Sequence, residues 1–409
     1  MFEPFIREMK RRILSLGHFF EYRLEKVHVE GLLKNYDPSG VENVPPRKCE
    51  SIAFVITRMV RFHGGQTSVL KLGTELAKQG LQVYYLIYKR QTEKDMEYCA
   101  GENFAGYQGK CMHLDEYLRN VRKNRLGEAD FVCATSWDTV SFTKKFVNSC
   151  KLYFVQDYEP YFYKYGEEFL MCRSTYMQGL HMISLGSWNR DMILKDADSR
   201  DRAKLKVDVV DFPYTPGENS IGRRKYSAYQ DKKKITVAAY VKFYGKRLPA
   251  FIPYMLQNTA QKLKKRGIEL EILYFGEAKT FKPAGGTNLG QLSREGLREL
   301  YKRADFGLVA SMSNISLVPY EMHDAGLPVI EFSEGTYTHF LPEDSAILTD
   351  ISKTDIAQKL YEAVKNPMIL EKMHNSAMNA MKDLSWENTG RQFFKILKSC
   401  VQGERENND

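Results

Sequence analysis

Short apolar runs alternate with amphipathic stretches along most of the chain, and this alternation predicts its architecture. Residues 51–56 and 81–88 form strand-sized apolar runs, and between them Val69, Leu72 and Leu76 keep the spacing of one helix face. The same pattern predicts strands at 130–134, 151–156, 181–185 and 207–212, with helices at 139–147 and 166–178. Such alternation favours a parallel sheet covered by helices on both faces.

The alternation stops at 216–234, where Pro, Gly, Ser and a run of charged residues are typical of a linker. It restarts with predicted strands at 235–241, 270–275, 306–311 and 329–332, and predicted helices at 249–265, 294–304, 319–325, 353–365, 369–383 and 386–401. We expect an α/β protein with two doubly wound, Rossmann-like domains facing across a cleft, plus an N-terminal helical extension. The expected boundaries are 1–50 for the extension, 51–225 and 226–385 for the two domains, and 386–409 for a final helix and tail.

The first 20 residues differ from the rest of the chain. Their apolar residues fall three or four positions apart beside four basic ones: Phe2, Phe5, Ile6, Met9, Ile13, Leu16 and Phe20, with Arg7, Lys10, Arg11 and Arg12. On a helix, an apolar stripe with a basic flank favours binding to an anionic membrane surface. Packing on the protein's own domain, or on a second subunit in a homodimer, is the alternative, and both remain open.

Composition and cysteine content narrow the class of protein. The 409 residues are 43% hydrophobic and 27% charged, as in soluble globular proteins, and no apolar run reaches the length of a membrane span. We find no secretory signal. Seven cysteines without Cys-x-x-Cys spacing argue against a disulfide framework and against a zinc site. We expect a cytoplasmic protein, peripheral on the inner face of the plasma membrane if the first helix binds lipid.

The net charge of +9 predicts an anionic partner. The chain has no basic stripe with interleaved stacking aromatics and no recognisable nucleic-acid-binding motif, so we expect no nucleic-acid partner. An anionic substrate and an anionic lipid surface both remain.

Five candidate site loops each follow the carboxyl end of a predicted strand. They are residues 58–66, 156–161, 242–247, 276–277 and 311–318. Ligands of doubly wound sheets bind outside the carboxyl ends of the strands. We therefore expect these loops to converge on the cleft between the domains.

The most informative segment runs from Ser316 to Ile330. It predicts a loop, a short helix opened by Pro319, and then a buried strand. Unpaired N–H groups and the positive end of the helix dipole would bind phosphate at the start of this helix. Glu321, expected in the first turn, would then reach ribose hydroxyls. The alternative is that Glu321 only caps its own helix.

This segment resembles a motif of GT-B glycosyltransferases of family 4. In that family two Glu, separated by seven residues, precede an Ala-Cys-Gly-x-Pro-Val-like turn. Here Glu321 and the Ala-Gly-Leu-Pro-Val of residues 325–329 match, whereas Ser313 stands in place of the first Glu. Lys242 and Arg247 resemble the family's Arg-x-x-x-x-Lys pair with the order of the two cations reversed.

Four further stretches are similar to bacterial rhamnosyltransferases that build rhamnan-type surface glycans. They are residues 134–137, 153–160, 165–168 and 313–319. That branch also lacks the first Glu. The resemblance implies a metal-independent, retaining sugar transfer without a further cofactor, with dTDP-L-rhamnose as the expected nucleotide-sugar donor. The expected acceptor is a growing cell-surface polysaccharide or a lipid-linked glycan, bound by the N-terminal domain, while the C-terminal domain binds the donor.

The resemblance and the loop positions together imply roles for three groups of residues. Catalytic roles are expected for Asp157, which would act on the acceptor hydroxyl, and for Lys242 and Arg247, which would bind the diphosphate. Nucleotide-sugar binding is expected at Gly64, Gly65, Gly276, Gly290, Ser313, Asn314, Ser316, Leu317 and Glu321. Acceptor binding is expected at His63, Trp137, Glu159 and Tyr161.

Each of these roles has a structural alternative. Asp157 is equally consistent with a helix cap, and Lys242 and Arg247 with surface salt bridges. An ordinary tight turn explains the Gly64-Gly65 pair, and plain packing explains the aromatic residues that follow Asp157.

One metal-like pattern is set aside, and two other functions remain open. Asp196-Ala-Asp198 matches a metal-binding Asp-x-Asp, but it lies in a charged run without a leading strand, so we expect no metal site. A catalytically altered scaffold or sugar-binding protein is one alternative function, supported by Ser313. A nucleotide-sugar epimerase of the same fold is the other.

Overall fold

The computed structural model describes residues 3–222, 224–243, 247–351 and 356–402, with backbone only for residues 3–14, 16, 18 and 402. A long helix, α1 (Glu3–Leu33), comes first. Two parallel sheets follow, one in each half of the chain, so the predicted α/β class with two Rossmann-like domains is confirmed.

The N-terminal domain is a parallel sheet with helices on both faces. Its strands are β1 (Ser51–Ile56), β2 (Gln82–Ile87), β3 (Lys110–His113), β4 (Phe131–Ala134), β5 (Cys150–Val155), β6 (His181–Leu185) and β7 (Val207–Val210). Its helices are α2 (Gly64–Lys78), α3 (Glu93–Asn103), α4 (Leu114–Arg122), α5 (Val140–Thr143), α6 (Glu167–Thr175), α7 (Ser187–Asp196) and α8 (Ser199–Arg202). The strand order β3-β2-β1-β4-β5-β6-β7 is that of a doubly wound sheet.

The C-terminal domain repeats this plan with six strands. They are β8 (Lys234–Tyr240), β9 (Glu269–Phe275), β10 (Thr287–Asn288), β11 (Phe306–Leu308), β12 (Val329–Phe332) and β13 (Ile347–Thr349). Its helices are α9 (Phe251–Lys265), α10 (Arg294–Arg303), α11 (Leu317–Asp324), α12 (Ile356–Lys365) and α13 (Met368–Met381), and a last helix, α14 (Trp386–Gln402), follows them in the chain. The strand order is β10-β9-β8-β11-β12-β13.

The central strands are apolar throughout because helices cover both faces of each sheet. Residues 52–55 of β1 and 237–239 of β8 are 0% exposed. Three of the predicted elements have clearly different bounds in the structure. The strand predicted at 306–311 ends at Leu308, the helix predicted at 139–147 is only the four-residue α5, and the helix predicted at 319–325 begins at Leu317.

The N-terminal extension is attached to its own domain by its C-terminal part. Leu32 and Tyr36 pack on the cluster that contains Trp137 and Cys172, and the Val41 N–H donates to the Gln178 carbonyl over 2.8 Å. Earlier on α1 five described apolar side chains are exposed, including Phe20 at 63%. The predicted stripe before Phe20 lies outside the described side chains. Among the described residues, no helix is both long enough and apolar enough to cross a membrane.

The chain returns to the N-terminal domain in its last helix. The ring of Phe393 on α14 lies 5.8 Å from that of Phe154 on β5, and Gly390 contacts Glu75 on α2. The Gln392 side chain accepts from the Asp211 N–H over 2.8 Å. The domains are therefore joined by two crossings, the linker after β7 and the segment before α14.

Candidate active site

Two of the predicted loops, one from each domain, meet in the cleft. Ser313 Oγ donates to the Asp157 carboxylate over 3.2 Å, and the Tyr158 N–H donates to the Ser313 carbonyl over 3.3 Å. The Asn314 side-chain amide donates to the Gln156 carbonyl. Because these loops follow the carboxyl ends of β5 and β11, the structure brings together the strand ends at which doubly wound sheets bind ligands.

The start of α2 lies beside the same loops. A Cβ atom placed on Gly65 would lie 3.6 Å from the side-chain oxygen of Gln156, so the first turn of α2 is close to β5. The exposed His63 caps this helix, since its Nδ1 accepts from the Gln66 N–H over 3.3 Å. A Cβ atom on Gly64 would meet nothing within 4 Å, so packing gives no reason for glycine there.

The start of α11 presents unpaired polar groups. Within the described part of the chain, the N-cap residue Ser316 makes no side-chain capping bond, and both its buried hydroxyl and the buried Asn314 Oδ1 lack a hydrogen-bond partner. The first N–H groups of any helix also have no partner inside the helix. The loop before Leu317 therefore offers several groups to an anionic or hydroxylated ligand at the positive end of a helix dipole.

Glu321 lies two residues further into the helix than predicted. Since α11 begins at Leu317 rather than at Pro319, Glu321 is in the second turn, and it accepts from the Tyr301 hydroxyl over 3.3 Å instead of capping its own helix. Burial raises the pKa of Glu321, while the Tyr301 hydroxyl, Lys71 and Arg294 oppose the rise. Glu321 therefore does not cap its own helix, which was the structural alternative to ribose binding.

Arg247 is buried against the end of β11. It is 4% exposed, its Nη1 donates to the Ala310 carbonyl over 2.8 Å and to Ser311 Oγ over 3.4 Å, and its guanidinium lies 5.8 Å from the Tyr240 ring centre. Its Nε and Nη2 atoms form no hydrogen bond with any described residue. Lys242 is half-buried at the exit of β8, and residues 244–246 between the two cations lie outside the described residues. Arg247 is thus a buried cation at the cleft rather than a surface salt-bridge partner.

A second buried charge, Glu331, was missed by the sequence analysis. It is 0% exposed on β12 and accepts from the Ser311 N–H over 3.0 Å and from the Ser311 hydroxyl over 2.5 Å. Burial raises the pKa of Glu331 to about 7, against the opposing effects of Ser311 and Arg247. Because the Ser311 backbone bonds to this carboxylate, the chain turns into the site loop three residues earlier than predicted. The available signal was a glutamate inside the apolar stretch Val-Ile-Glu-Phe.

Asp324 is a second missed residue, and it fixes the linker to α11. Its carboxylate accepts from the Tyr214 hydroxyl over 2.8 Å and from the backbone N–H groups of Gly217 and Asn219 over 2.8 and 2.7 Å. The Phe212 ring stacks 4.8 Å from that of Tyr320. The helix that carries Glu321 is therefore held directly by the interdomain connection.

Gly276 and Gly290 lie together at the exit of β9. The Gly276 N–H donates to the Gly290 carbonyl over 2.9 Å. Gly276 has a φ of 100°, and a Cβ atom there would lie 2.4 Å from the Tyr240 ring, so only glycine fits without displacement. These two predicted residues thus lie together, beside the ring that also faces Arg247.

Glu159 lies behind the cleft wall, in contrast to its predicted contact with an acceptor. It is 5% exposed, and its oxygens accept from the Trp137 N–H over 2.9 Å and from the Tyr153 hydroxyl over 2.6 Å. Burial raises the pKa of Glu159 to about 8, although both of these hydrogen bonds lower it. Glu159 therefore holds the loop after Asp157 in position.

Trp137 and Tyr161 differ in their access to the cleft. Trp137 is 6% exposed, packs on the extension and donates from Nε1 to the Tyr163 hydroxyl over 2.8 Å, so its predicted contact with an acceptor is not supported by its position. Tyr161 is 45% exposed, with its ring 4.9 Å from that of Tyr158. Of the predicted aromatic contacts, Tyr161 is the one open to a ligand.

The Asp-x-Asp pattern has a structural use. Asp196 accepts from the Tyr158 hydroxyl, and Asp198 caps α8 by accepting from two backbone N–H groups. Among the described residues, we find no group of three or more His, Cys, Asp or Glu side chains that could hold a metal ion.

Two Rossmann-like domains, a cleft at the carboxyl ends of both sheets and a last helix that returns to the first domain define the GT-B fold of glycosyltransferases. Solved GT-B structures share this architecture. HepE from Anabaena, in complex with UDP and glucose, gives a TM-score of 0.65 at 9% identity, covering 86% of this chain and 100% of that one. A variant of TarM from S. aureus, whose complex includes UDP, gives 0.64 at 9% identity, covering 85% and 99%.

WaaG, a glycosyltransferase involved in lipopolysaccharide biosynthesis, is a third such structure. It gives a TM-score of 0.56 at 13% identity and covers 85% of this chain and 99% of its own. No protein-family model matches the sequence, and no curated protein matches it either. At these identities the likeness establishes the fold, which is the GT-B glycosyltransferase fold.

Proposed function

We propose that the protein is a glycosyltransferase that moves a sugar from a nucleotide diphosphate onto a glycan or lipid-linked acceptor. The observation that carries the proposal is the meeting of Gln156 and Asp157 with Ser313 and Asn314 in the loop just before α11, through the bonds of Ser313 to Asp157 and of Asn314 to Gln156. It brings a carboxylate of the N-terminal domain close to a helix N-terminus of the C-terminal domain. Helix N-termini commonly bind phosphate. The complexes of HepE and TarM with UDP support the same assignment of ligand class.

The diphosphate would bind between α11 and the loop after β8. Cleavage of the sugar–phosphate bond leaves negative charge on the departing nucleotide, and catalysis needs fixed positive groups around it. Arg247, Lys242 and the backbone N–H groups near Ser316 and Leu317 supply such groups without a metal. Loss of one such donor typically costs about 3–4 kcal/mol in the transition state.

The sugar and the acceptor would lie between that diphosphate and Asp157. Glu321 would accept from ribose hydroxyls, since burial between Tyr301 and the cleft leaves it one oxygen without a protein donor among the described residues. Gly276 and Gly290 would border the base. Asp157 would receive the proton of the acceptor hydroxyl or orient that hydroxyl, with His63 and Tyr161 beside the acceptor.

For the donor we propose dTDP-L-rhamnose, and for the enzyme a retaining member of glycosyltransferase family 4. Both proposals rest on the motif resemblance, in particular on Glu321 and on Ser313 in place of a glutamate. The hydrogen bond between Ser313 and Asp157 gives that serine a role in bringing the domains together. The acceptor would be a cell-surface polysaccharide or its lipid-linked precursor.

We also propose a cytoplasmic location at an anionic membrane surface. Support comes from the exposed apolar side chains of α1, with Phe19 at 52%, Leu24 at 72% and Val27 at 68%. Cosedimentation with vesicles containing phosphatidylglycerol tests this proposal against a homodimer. Lipid binding without concentration-dependent association supports the membrane, and dimerisation without lipid binding overturns it.

Calorimetric titration with dTDP, UDP, GDP and ADP tests the donor site. We expect dTDP to bind most tightly, and Glu321→Ala to weaken its binding about tenfold or more, because a half-buried hydrogen-bond acceptor for ribose is lost. Glu299→Ala, at an exposed carboxylate on α10, is the matched control and should leave binding unchanged. If no nucleoside diphosphate binds, the proposed function is wrong.

Turnover distinguishes the transferase from its two alternatives. Incubation with nucleotide sugars and a lipid-linked glycan extract should give an acceptor-dependent product. Donor conversion without any acceptor, followed by proton NMR, would identify an epimerase. Nucleotide binding without conversion in either assay would identify a scaffold or sugar-binding protein.

A further inference from the structure

Two cysteines, a histidine and an aspartate lie together at the amino-terminal ends of strands in the first sheet, on the side opposite the cleft. Cys150 and His181 are the first residues of β5 and β6, and Asp208 is the second residue of β7. Cys400, in the last turn of α14, lies beside these strand ends. The proposed sugar transfer uses none of these residues, because its loops all follow the other ends of the strands.

The side chains form a hydrogen-bonded row. Cys400 Sγ lies 3.3 Å from His181 Nδ1, and His181 Nε2 lies 2.7 Å from the Asp208 carboxylate. Cys400 packs on the core cluster that contains the buried Cys150, and a side-chain hydrogen bond links the two thiols. His181 is 3% exposed, whereas Cys400 is half-buried and Asp208 is open to solvent, so the row leads from the protein surface inward.

This environment favours a thiolate at Cys400. Hydrogen bonds with Cys150 and His181 and the charge of Lys206 hold the pKa of Cys400 below its ordinary value, although burial opposes this. Burial lowers the pKa of His181, but the hydrogen bonds with Asp208 and Cys400 outweigh it and the pKa is raised. A thiolate beside an imidazolium that a carboxylate holds in place is an arrangement that makes cysteine reactive.

The other cysteines have the opposite environment. Burial raises the pKa of each of their thiols: Cys49, Cys99, Cys111, Cys133 and Cys172. Cys49 is the informative neighbour, since it lies near Cys400 and Lys398 and yet its pKa is raised to about 11. The contacts with Cys150 and His181 therefore distinguish Cys400 from Cys49, a thiol close to it.

We propose that Cys400 is a peroxide-reactive thiolate that forms a reversible disulfide with Cys150, with His181 and Asp208 as positioning residues. The sulfur of Cys400 attacks hydrogen peroxide, so that an S–O bond forms and the O–O bond breaks. The hydroxide that leaves takes the imidazolium proton of His181 and departs as water. The thiol of Cys150 then attacks the sulfenic acid, the S–S bond forms, and a second water leaves with the thiol proton.

The disulfide would tie the last turn of α14 covalently to the start of β5. Both thiols already lie on the N-terminal domain, so the bond requires no domain movement. All seven cysteines are free in the structure, which is the reduced state of the pair. A thiol reductant restores that state, since disulfide exchange reverses the second step.

Peptide mass spectrometry tests the pairing on the full-length protein. After treatment with hydrogen peroxide and alkylation of the remaining thiols, a non-reducing digest should contain one peptide that joins Cys150 to Cys400. Cys150→Ser should instead accumulate a sulfenic acid at Cys400 that dimedone traps, and Cys49→Ser should leave the bond intact. A bond between Cys49 and Cys400, or a Cys400 that is still fully alkylated after peroxide, would overturn the proposal.

The pH profile of alkylation tests the positioning residues. In the untreated protein, Cys400 should react with iodoacetamide at pH 6 faster than Cys49. Asp208→Asn, at a solvent-open carboxylate whose loss should not unfold the domain, should raise the pKa of Cys400 and slow its alkylation at pH 6, by about tenfold for each unit by which that pKa comes to exceed the assay pH. An unchanged profile in Asp208→Asn would show that the row does not activate the thiol. None of these measurements depends on sugar transfer.

Discussion

Replacing Glu331 by Gln should remove a specific part of the pH dependence of stability. The carboxylate is fully buried and accepts three hydrogen bonds, from the N–H and hydroxyl of Ser311 and from the Phe332 N–H. Gln has the same shape, and its carbonyl can still accept from the backbone. Its NH₂ can donate to the Ser311 hydroxyl, so the substitution removes the charge with little change in packing.

The size of the effect follows from the raised pKa. The folded protein holds the Glu331 proton with a pKa of about 7, against an ordinary value of 4.5, so it binds this proton more tightly than the unfolded chain does. The resulting stability is fully present below pH 4.5 and is lost as the pH rises through 7. Between pH 5.5 and 8.5 the loss amounts to about 2 kcal/mol for this group.

Urea unfolding at several pH values measures this loss. From pH 5.5 to 8.5 the free energy of unfolding of Glu331→Gln should rise relative to the wild type by about 2 kcal/mol. Glu343→Gln, at an exposed carboxylate of the same domain, should show no such relative change. A difference between Glu331→Gln and the wild type that stays constant across this range would refute the argument, because the buried group would then not be protonated in the folded state.

Three further outcomes are expected. Gly335→Ala should destabilise the protein by about 1–3 kcal/mol in urea unfolding, because its Cβ would lie 2.4 Å from the Ser311 carbonyl oxygen. Gly127→Ala, with open space around it, is the control, and equal effects of the two substitutions would contradict this explanation. Asp157→Asn should lower kcat about 100-fold or more if this carboxylate receives the acceptor proton, with a nearly unchanged Kd for the nucleoside diphosphate; full activity would exclude that role. EDTA treatment should leave sugar transfer unchanged, and a loss of activity restored by a divalent cation would contradict metal-independent transfer.

The sequence predicted the architecture well, because it is encoded in patterns that repeat along the chain. Parallel strands covered on both faces read as apolar runs, and the turns and helices between them keep their own spacing. The strands that escaped detection, β3, β10 and β13, are two to four residues long and lie at or beside sheet edges. Such short segments carry too few residues for a pattern.

The candidate site was predicted in its loops but less well in its side chains. That Asp157 and Ser313 lie in facing loops follows from topology alone, since both follow the carboxyl ends of parallel strands. The orientation of Glu159 away from the cleft does not follow from topology, because it depends on Tyr153 and Trp137 being close to Glu159 in space. Glu331 was missed for the same reason, since one charged residue in a strand is visible in sequence but its partner Ser311 is not.

The return of α14 to the first domain has a consequence for dissecting the molecule. α14 packs on an apolar surface of the first domain. A fragment that ends in the linker would lack α14 and would expose the surface around Phe154 that Phe393 covers. Protease nicking between the lobes should therefore yield two pieces that stay associated through this helix. Independent expression of the first lobe would require α14 to be supplied as well, either fused or as a separate peptide.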